Sequence, residues 1–180
     1  MMETCKLICM ALVLGGAGMS ASADITVTVD PAYTLIDLDN LAPPYYVDIV
    51  ADIPTADAII GWGLDLDVAL PAVADWTFVS VGPDWTGVPA PDGDDLAGLA
   101  FPGSVSGPAV VLATVEFTGL APGVTAIWPG VTPGDLTEGF VKLGGAFVPA
   151  TFAGGTVEVI PEPATLTLLA LAGLVVLRRR

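Results

Sequence analysis

Apolar and polar residues alternate along most of this chain, and Pro, Gly and Asp interrupt the alternation every few residues. Successive side chains of a strand point to opposite faces, so this pattern is what a sheet with one face in a core requires. Residues 59–68 show it most clearly: Ile60, Trp62, Leu64, Leu66 and Val68 fall on one face, and Gly61, Gly63, Asp65 and Asp67 on the other. Residues 24–30, 33–39, 45–53, 76–81, 96–101, 110–120, 124–128, 139–148 and 156–160 also read as strands. Turn formers such as Pro83-Asp84, Asp92-Gly93, Pro102-Gly103 and Pro122-Gly123 separate them. No stretch before Pro163 sustains a 3.6-residue period. Nine or ten short strands at this spacing predict an all-β fold, an antiparallel β-sandwich of the jelly-roll kind.

The two ends depart from that pattern. Lys6 precedes an apolar run over residues 7–17, and Ala21-Ser22-Ala23 follows as a small-x-small site. Residues 1–23 therefore read as a signal peptide cleaved before Asp24. At the other end stand Pro161-Glu162-Pro163, an uncharged run over residues 164–177 and Arg178-Arg179-Arg180. Pro163 suits the first turn of a helix, and Glu162 meets the positive end of its dipole. Fourteen residues give about 21 Å of helix against a hydrocarbon core of about 30 Å. Such a helix holds a membrane if the bilayer thins around it, with the arginines on the cytoplasmic side. The chain thus divides into a signal (1–23), a β-sandwich ectodomain (24–160) and a C-terminal transmembrane segment (161–180).

Read together, Pro161, Glu162, Pro163, the apolar helix and Arg178, Arg179 and Arg180 resemble the PEP-CTERM sorting signal of Gram-negative bacteria. The resemblance implies recognition by an exosortase-type membrane enzyme and removal of the tail. It also implies an inner-membrane intermediate, and then delivery to the cell envelope or to an extracellular matrix of exopolysaccharide or biofilm type. It covers about twenty of the 180 residues.

Charge and composition restrict what the ectodomain does. All but Glu3 and Glu162 of the twenty acidic residues lie between 24 and 160, where Lys142 is the only base. Such a surface offers no nucleic-acid site, which needs cations to replace counterions, and it favours divalent cations or basic partners. Both cysteines, Cys5 and Cys9, precede the ectodomain, and the chain has no histidine. Disulfides, Ser-His-Asp and Cys-His catalysis and histidine-ligated zinc are therefore excluded there. A carboxylate-pair glycosidase stays arithmetically open, but no spacing points to one. A binding module rather than an enzyme is the expectation.

Two binding features stand out. Asp92-Gly93-Asp94-Asp95 puts the carboxylates of Asp92, Asp94 and Asp95 in one turn, a candidate Ca2+ site, although its spacing is not that of a twelve-residue EF-hand loop. Trp85, in the turn-rich Pro83-Asp84-Trp85-Thr86-Gly87, is the candidate exposed ring for stacking on sugars. Trp62 and Trp76 read as core, and Trp128, before Pro129-Gly130, fits either face.

The strand sequence also resembles the cohesin-like branch of the carbohydrate-binding-module superfamily. The resemblance rests on residues 46–51, on Ile60-Gly61-Trp62-Gly63-Leu64-Asp65-Leu66-Asp67, on residues 76–81, and on residues 111–117 running into Gly119-Leu120-Ala121-Pro122-Gly123. It implies a sandwich for protein or glycan contact outside the cell. Where the family carries Tyr-Asp-Pro this chain has Val68-Ala69-Leu70-Pro71, so no contact residue is carried over. The expected role is adhesion or scaffolding with a surface protein as partner, or alternatively Ca2+-dependent binding of exopolysaccharide.

Overall fold

The structure is a computed structural model that describes residues 24–38, 44–87, 95–100 and 102–161. Residues 1–23, read above as a signal, residues 162–180 of the expected sorting tail and the acidic stretch 91–94 lie outside the described residues. Among the described residues no helix is long and apolar enough to cross a membrane.

Twelve strands are present among these residues: β1 (Ile25–Asp30), β2 (Tyr33–Asp37), β3 (Tyr45–Ile53), β4 (Ile59–Val68), β5 (Ala74–Val81), β6 (Asp95–Leu99), β7 (Gly107–Gly119), β8 (Gly123–Gly130), β9 (Gly139–Lys142), β10 (Phe147–Val148), β11 (Ala150–Ala153) and β12 (Gly155–Ile160). The five-stranded sheet runs β11-β1-β3-β7-β5. The seven-stranded sheet runs β10-β9-β4-β8-β12-β2, with β6 also paired to β4. Gly61, Trp62 and Gly63 pair with both β6 and β9, and Asp65 with both β6 and β8. Each strand residue has only two edges, so β8 and β9 lie end to end along one edge of β4, with β6 along the other.

Two pairs are parallel, which corrects the purely antiparallel expectation. β1 runs parallel to β11, and β2 runs parallel to β12. The cause is a double change of sheet. The first extended stretch breaks at Pro31-Ala32, the last at Gly154-Gly155, and each passes from the five-stranded to the seven-stranded sheet at its break. The Thr156 N–H donates to the Ala32 carbonyl at 2.8 Å where the two crossings meet. A Cβ on Gly155 would lie 3.0 Å from the Val29 side chain and 3.1 Å from the Ala32 oxygen, so the crossing is built for glycine.

The strand count rises for local reasons. The expected strand 139–148 is two, because Gly144 and Gly145 turn at φ +101° and +83°. β11 was hidden by its four-residue length.

The core lies between the sheets. Ile25, Val27, Val47, Ile49, Leu112 and Phe117 face Ile36, Leu64, Ile127, Phe140, Val157 and Leu96, each at most 2 % exposed. Alternation along β4 holds from Trp62 to Leu66. At its start a register shift between Ile59 and Gly61 places Ile59 in the core and leaves Ile60 half-buried, which corrects the inward assignment of Ile60. A bulge adds one residue that alternation alone does not show.

The inward and outward faces should differ sharply in energy. Leu112→Ala empties a fully buried site and is expected to cost about 2–5 kcal/mol. Leu35→Ala, at 46 % exposure on an outer face, should cost below about 0.5 kcal/mol. Urea unfolding of the two variants checks the pair, and similar losses would contradict the assignment of faces.

Candidate functional site

Trp85 is not an exposed platform. It is 5 % exposed, its Nε1–H donates to the Val111 carbonyl at 3.0 Å, and its ring meets Trp62 edge to face at 6.1 Å. Residues 83–87 read as loop, yet a short turn there (Trp85 N–H to Gly82 carbonyl, 3.1 Å) aims the indole into the space between the sheets. An aromatic ring with one polar tip is satisfied by such a position. Trp62 is core as expected, and Trp76 is half-buried with its Nε1–H on the Leu66 carbonyl at 3.0 Å. The tryptophan in water is Trp128, at 53 % exposure.

Of the proposed calcium ligands, Asp92 and Asp94 lie outside the described residues, and only the backbone of Asp95 is placed, at the start of β6. Among the described residues no group of three potential ligands gathers as a metal site. Of the sorting motif, Pro161 is placed, exposed at the end of β12; Glu162, Pro163, Arg178, Arg179 and Arg180 lie outside the described residues.

Lys142 has a partner that sequence could not name. Its Nζ lies 2.9 Å from Asp57 Oδ1, and Asp57 is 3 % exposed. A buried carboxylate demands such a partner, so the one base between residues 24 and 160 is spent on structure.

A second carboxylate is buried by the loop between β8 and β9. Residues 131–138 fold over β4, close enough that a Cβ on Gly63 would overlap the Thr137 carbonyl. Glu138, 6 % exposed, accepts from the Thr132 N–H, and the Thr132 hydroxyl donates to Asp65 at 2.8 Å. Asp135 accepts from the Thr137 N–H and hydroxyl, which holds its carboxyl below the usual range. Glu138 moves the other way. Burial raises its pKa against the Thr132 hydrogen bond, and the Asp65 and Asp135 charges and a hydrogen bond with Asp65 add to the rise. Beside this loop a cavity of about 370 Å³ is lined by Leu136, Glu138, Phe140, Phe147 and Phe152.

The outer faces of the two sheets differ. That of the five-stranded sheet presents Thr26, Thr28, Asp48, Asp52, Thr77, Thr114 and Glu116 around one exposed ring, Tyr46. That of the seven-stranded sheet, over β8, β12 and β2, presents Tyr33 (51 %), Leu35, Val124 (54 %) and Trp128. Tyr33, Thr156 and Ala126 share one cross-strand row, Leu35, Glu158 and Val124 the next, and Asp67 stands beside Trp128. The Tyr33 hydroxyl donates to Glu158, which keeps the phenol protonated above its ordinary value.

No protein-family model matches the chain, and no curated protein matches its sequence. Its fold is that of cohesin modules. The third ScaB cohesin of R. flavefaciens, solved in complex with a group 1 dockerin, is similar at TM-score 0.54 and 13 % identity, over 77 % of this chain and 96 % of that one. A cohesin module from a family 33 glycoside hydrolase of Clostridium perfringens gives 0.53 and 7 %, over 77 % and 97 %. A non-cellulosomal cohesin from the archaeon Archaeoglobus fulgidus gives 0.50 and 16 %, over 77 % and 92 %. At these identities the likeness is one of fold: an all-β sandwich, as the strand pattern and the resemblance led us to expect.

The Glu138 site makes a signed prediction. The folded chain holds this proton to higher pH than the unfolded chain, whose value is near 4.5. The stabilisation is therefore fully present below that pH and is lost as pH rises through the folded value. Glu138→Gln keeps an acceptor for Thr132 and supplies a permanent donor toward Asp65. It should melt near the wild-type temperature at pH 4 and above it at pH 7. A variant melting lower at pH 7 would show that the carboxylate is wanted charged.

Proposed function

We propose that this chain is an exported, non-catalytic module for adhesion or scaffolding at the cell envelope or in the extracellular matrix. The observation that carries the reading is a cohesin-like sandwich on a chain that has no histidine and no cysteine after Cys9. Neighbours of this fold have been solved with dockerin partners, and a protein partner is the counterpart we propose here. β5 is the terminal strand of the five-stranded sheet, with Val79 43 % exposed beside the register shift at Phe78/Ser80. It offers an edge for strand addition by an extended segment of that partner. The Ca2+ reading of Asp92, Asp94 and Asp95 belongs to the alternative, Ca2+-dependent binding of exopolysaccharide, and not to the partner reading.

Export and sorting belong to the proposal. The signal at 1–23 directs export. The tail from Pro161 holds the chain at the inner membrane until an exosortase-type enzyme removes it. Intact-mass analysis of the exported protein should give a chain that begins at Asp24 and has lost the arginine end. Replacing Pro161-Glu162-Pro163 with alanines should leave the full tail on a membrane-bound chain. A mature protein retaining Arg178–Arg180 would remove the sorting reading.

The partner reading is tested by capture from the producing cell's surface extract on the immobilised chain. A single protein should be retained in stoichiometric amount and be lost on Val79→Lys. Retention that Val79→Lys leaves intact would displace the edge as the contact.

A further inference from the structure

We propose that the outer face of the seven-stranded sheet, between Trp128 on β8 and Tyr33 on β2, binds a neutral polysaccharide. This surface is separate from the β5 edge, and the inference stands whether or not a protein docks there.

The first ground is that the two rings are large, exposed and outward-facing on regular strands. Folding gives no reason for them there, since the inward positions of β8 and β2 are already filled by Thr125, Ile127, Thr34 and Ile36. Trp128 is seated rather than dangling: its ring lies against Gly154, where a Cβ would be about 2.5–2.8 Å from the indole carbons. A glycine beside an exposed indole lets the ring settle near the sheet and turn a flat side outward.

The second ground is spacing. Tyr33 and Ala126 share a row across β12, and Trp128 is two residues beyond Ala126. Two strand spacings and one two-residue step separate the two backbones by about 12 Å. A short run of linked pyranose rings spans that distance, with C–H faces on the aromatic rings and hydroxyls between them.

The third ground is what lies between and beside the rings. Thr156 stands in the gap, Glu158 lies in the next row beyond Tyr33, and Asp67 flanks Trp128. Glu158 is held by the Tyr33 hydroxyl, so its carboxylate is positioned to accept from sugar hydroxyls. No cation faces this surface among the described residues, because Lys142 is tied to Asp57. An acidic glycan, a nucleic acid or an anionic lipid would meet only like charge. A hydroxyl-rich neutral polymer complements both components, the apolar rings and the acceptors. The face is an open sheet surface along which a polymer can lie, unlike the closed pockets that hold small molecules.

The test is native affinity electrophoresis of the full chain in mild detergent. Gels are cast with hydroxyethylcellulose, xylan or galactomannan, and with polygalacturonate as the acidic counterpart. At least one neutral polymer should retard the chain, in high salt and in chelator alike, and polygalacturonate should not. Trp128→Ala should weaken retention by about tenfold, the scale of one lost aromatic contact, whereas Trp128→Tyr keeps most of it. Trp128 is half in water, so Trp128→Ala should melt close to wild type. Iodide quenching of the wild-type tryptophan fluorescence should fall when the retarding polymer is added, which reads the face without any substitution. Free migration in all three neutral gels overturns the proposal. So does retention unchanged by Trp128→Ala, or retention that high salt abolishes, the mark of a charged partner.

Discussion

Everything in this sandwich depends on the parallel meeting of its two ends. β1 and β2 are a single extended stretch that changes sheet at Pro31-Ala32, and β11 and β12 another that changes sheet at Gly154-Gly155. A parallel pair cannot be closed by a tight turn; it needs a crossover. Here the crossover is the rest of the sandwich. The pairs Ile25 with Ala150 and Thr156 with Tyr33 form only when everything between them has been brought together. Both sheets thus receive a strand from each end of the domain, and neither sheet is complete without both. Contacts of such sequence separation make folding slow and cooperative, because loop entropy is spent before the pairing rewards it.

That closure also creates the face that distinguishes the domain. β2 and β12 reach the seven-stranded sheet only through the double crossing, and with β8 they carry Tyr33, Leu35, Glu158, Val124 and Trp128 outward. Over β4 the same sheet is covered instead, because the 131–138 loop folds down on Gly63 and buries Glu138. One sheet is therefore half covered and half open, and the open half is the apolar one. The other sheet shows mostly threonines and carboxylates to water. The difference is one of side-chain chemistry on equivalent strands, and a domain needing only solubility has no use for it.

Much of the architecture could be read from the chain. The alternation at Trp62, Leu64 and Leu66 gave β4 its faces because a strand with one dry side has no other solution. What stayed hidden was tertiary. Nothing local distinguishes a strand with a parallel neighbour from one with an antiparallel neighbour, so β1 and β12 looked ordinary. The bulge at Ile59 shifts one residue and leaves no trace in composition. Trp85 misled for a related reason: turn formers predict an exposed backbone but say nothing of where a large side chain points. Trp128 was legible only as ambiguous. Pro129 and Gly130 mark a strand end without fixing its facing, which is set by pairing with Asp67 on β4. Lys142 and Asp57, eighty-five residues apart, could be joined only by β9 pairing with the start of β4.

The direction of β12 ties the open face to the point where the chain leaves the sandwich. The strand begins at Gly155, opposite Ile127 and next to the Trp128 row, and ends at Ile160, opposite Asp37. Pro161 leaves from that far end. Six residues of strand at about 3.3 Å each place the exit from the sheet about 20 Å from the Trp128 end. A chain held at a surface through the segment after Pro161 would therefore carry Trp128 and Asp67 on the side away from its attachment, with Tyr33 between. The loop that covers β4 adjoins the same distal end, since it starts at Val131, right after Gly130 ends β8 and three residues past Trp128. The geometry that closes the fold thus also orients it. The termini must run parallel to complete the sheets, and because they do, the strand that leads to the tail points away from the aromatic end of the face.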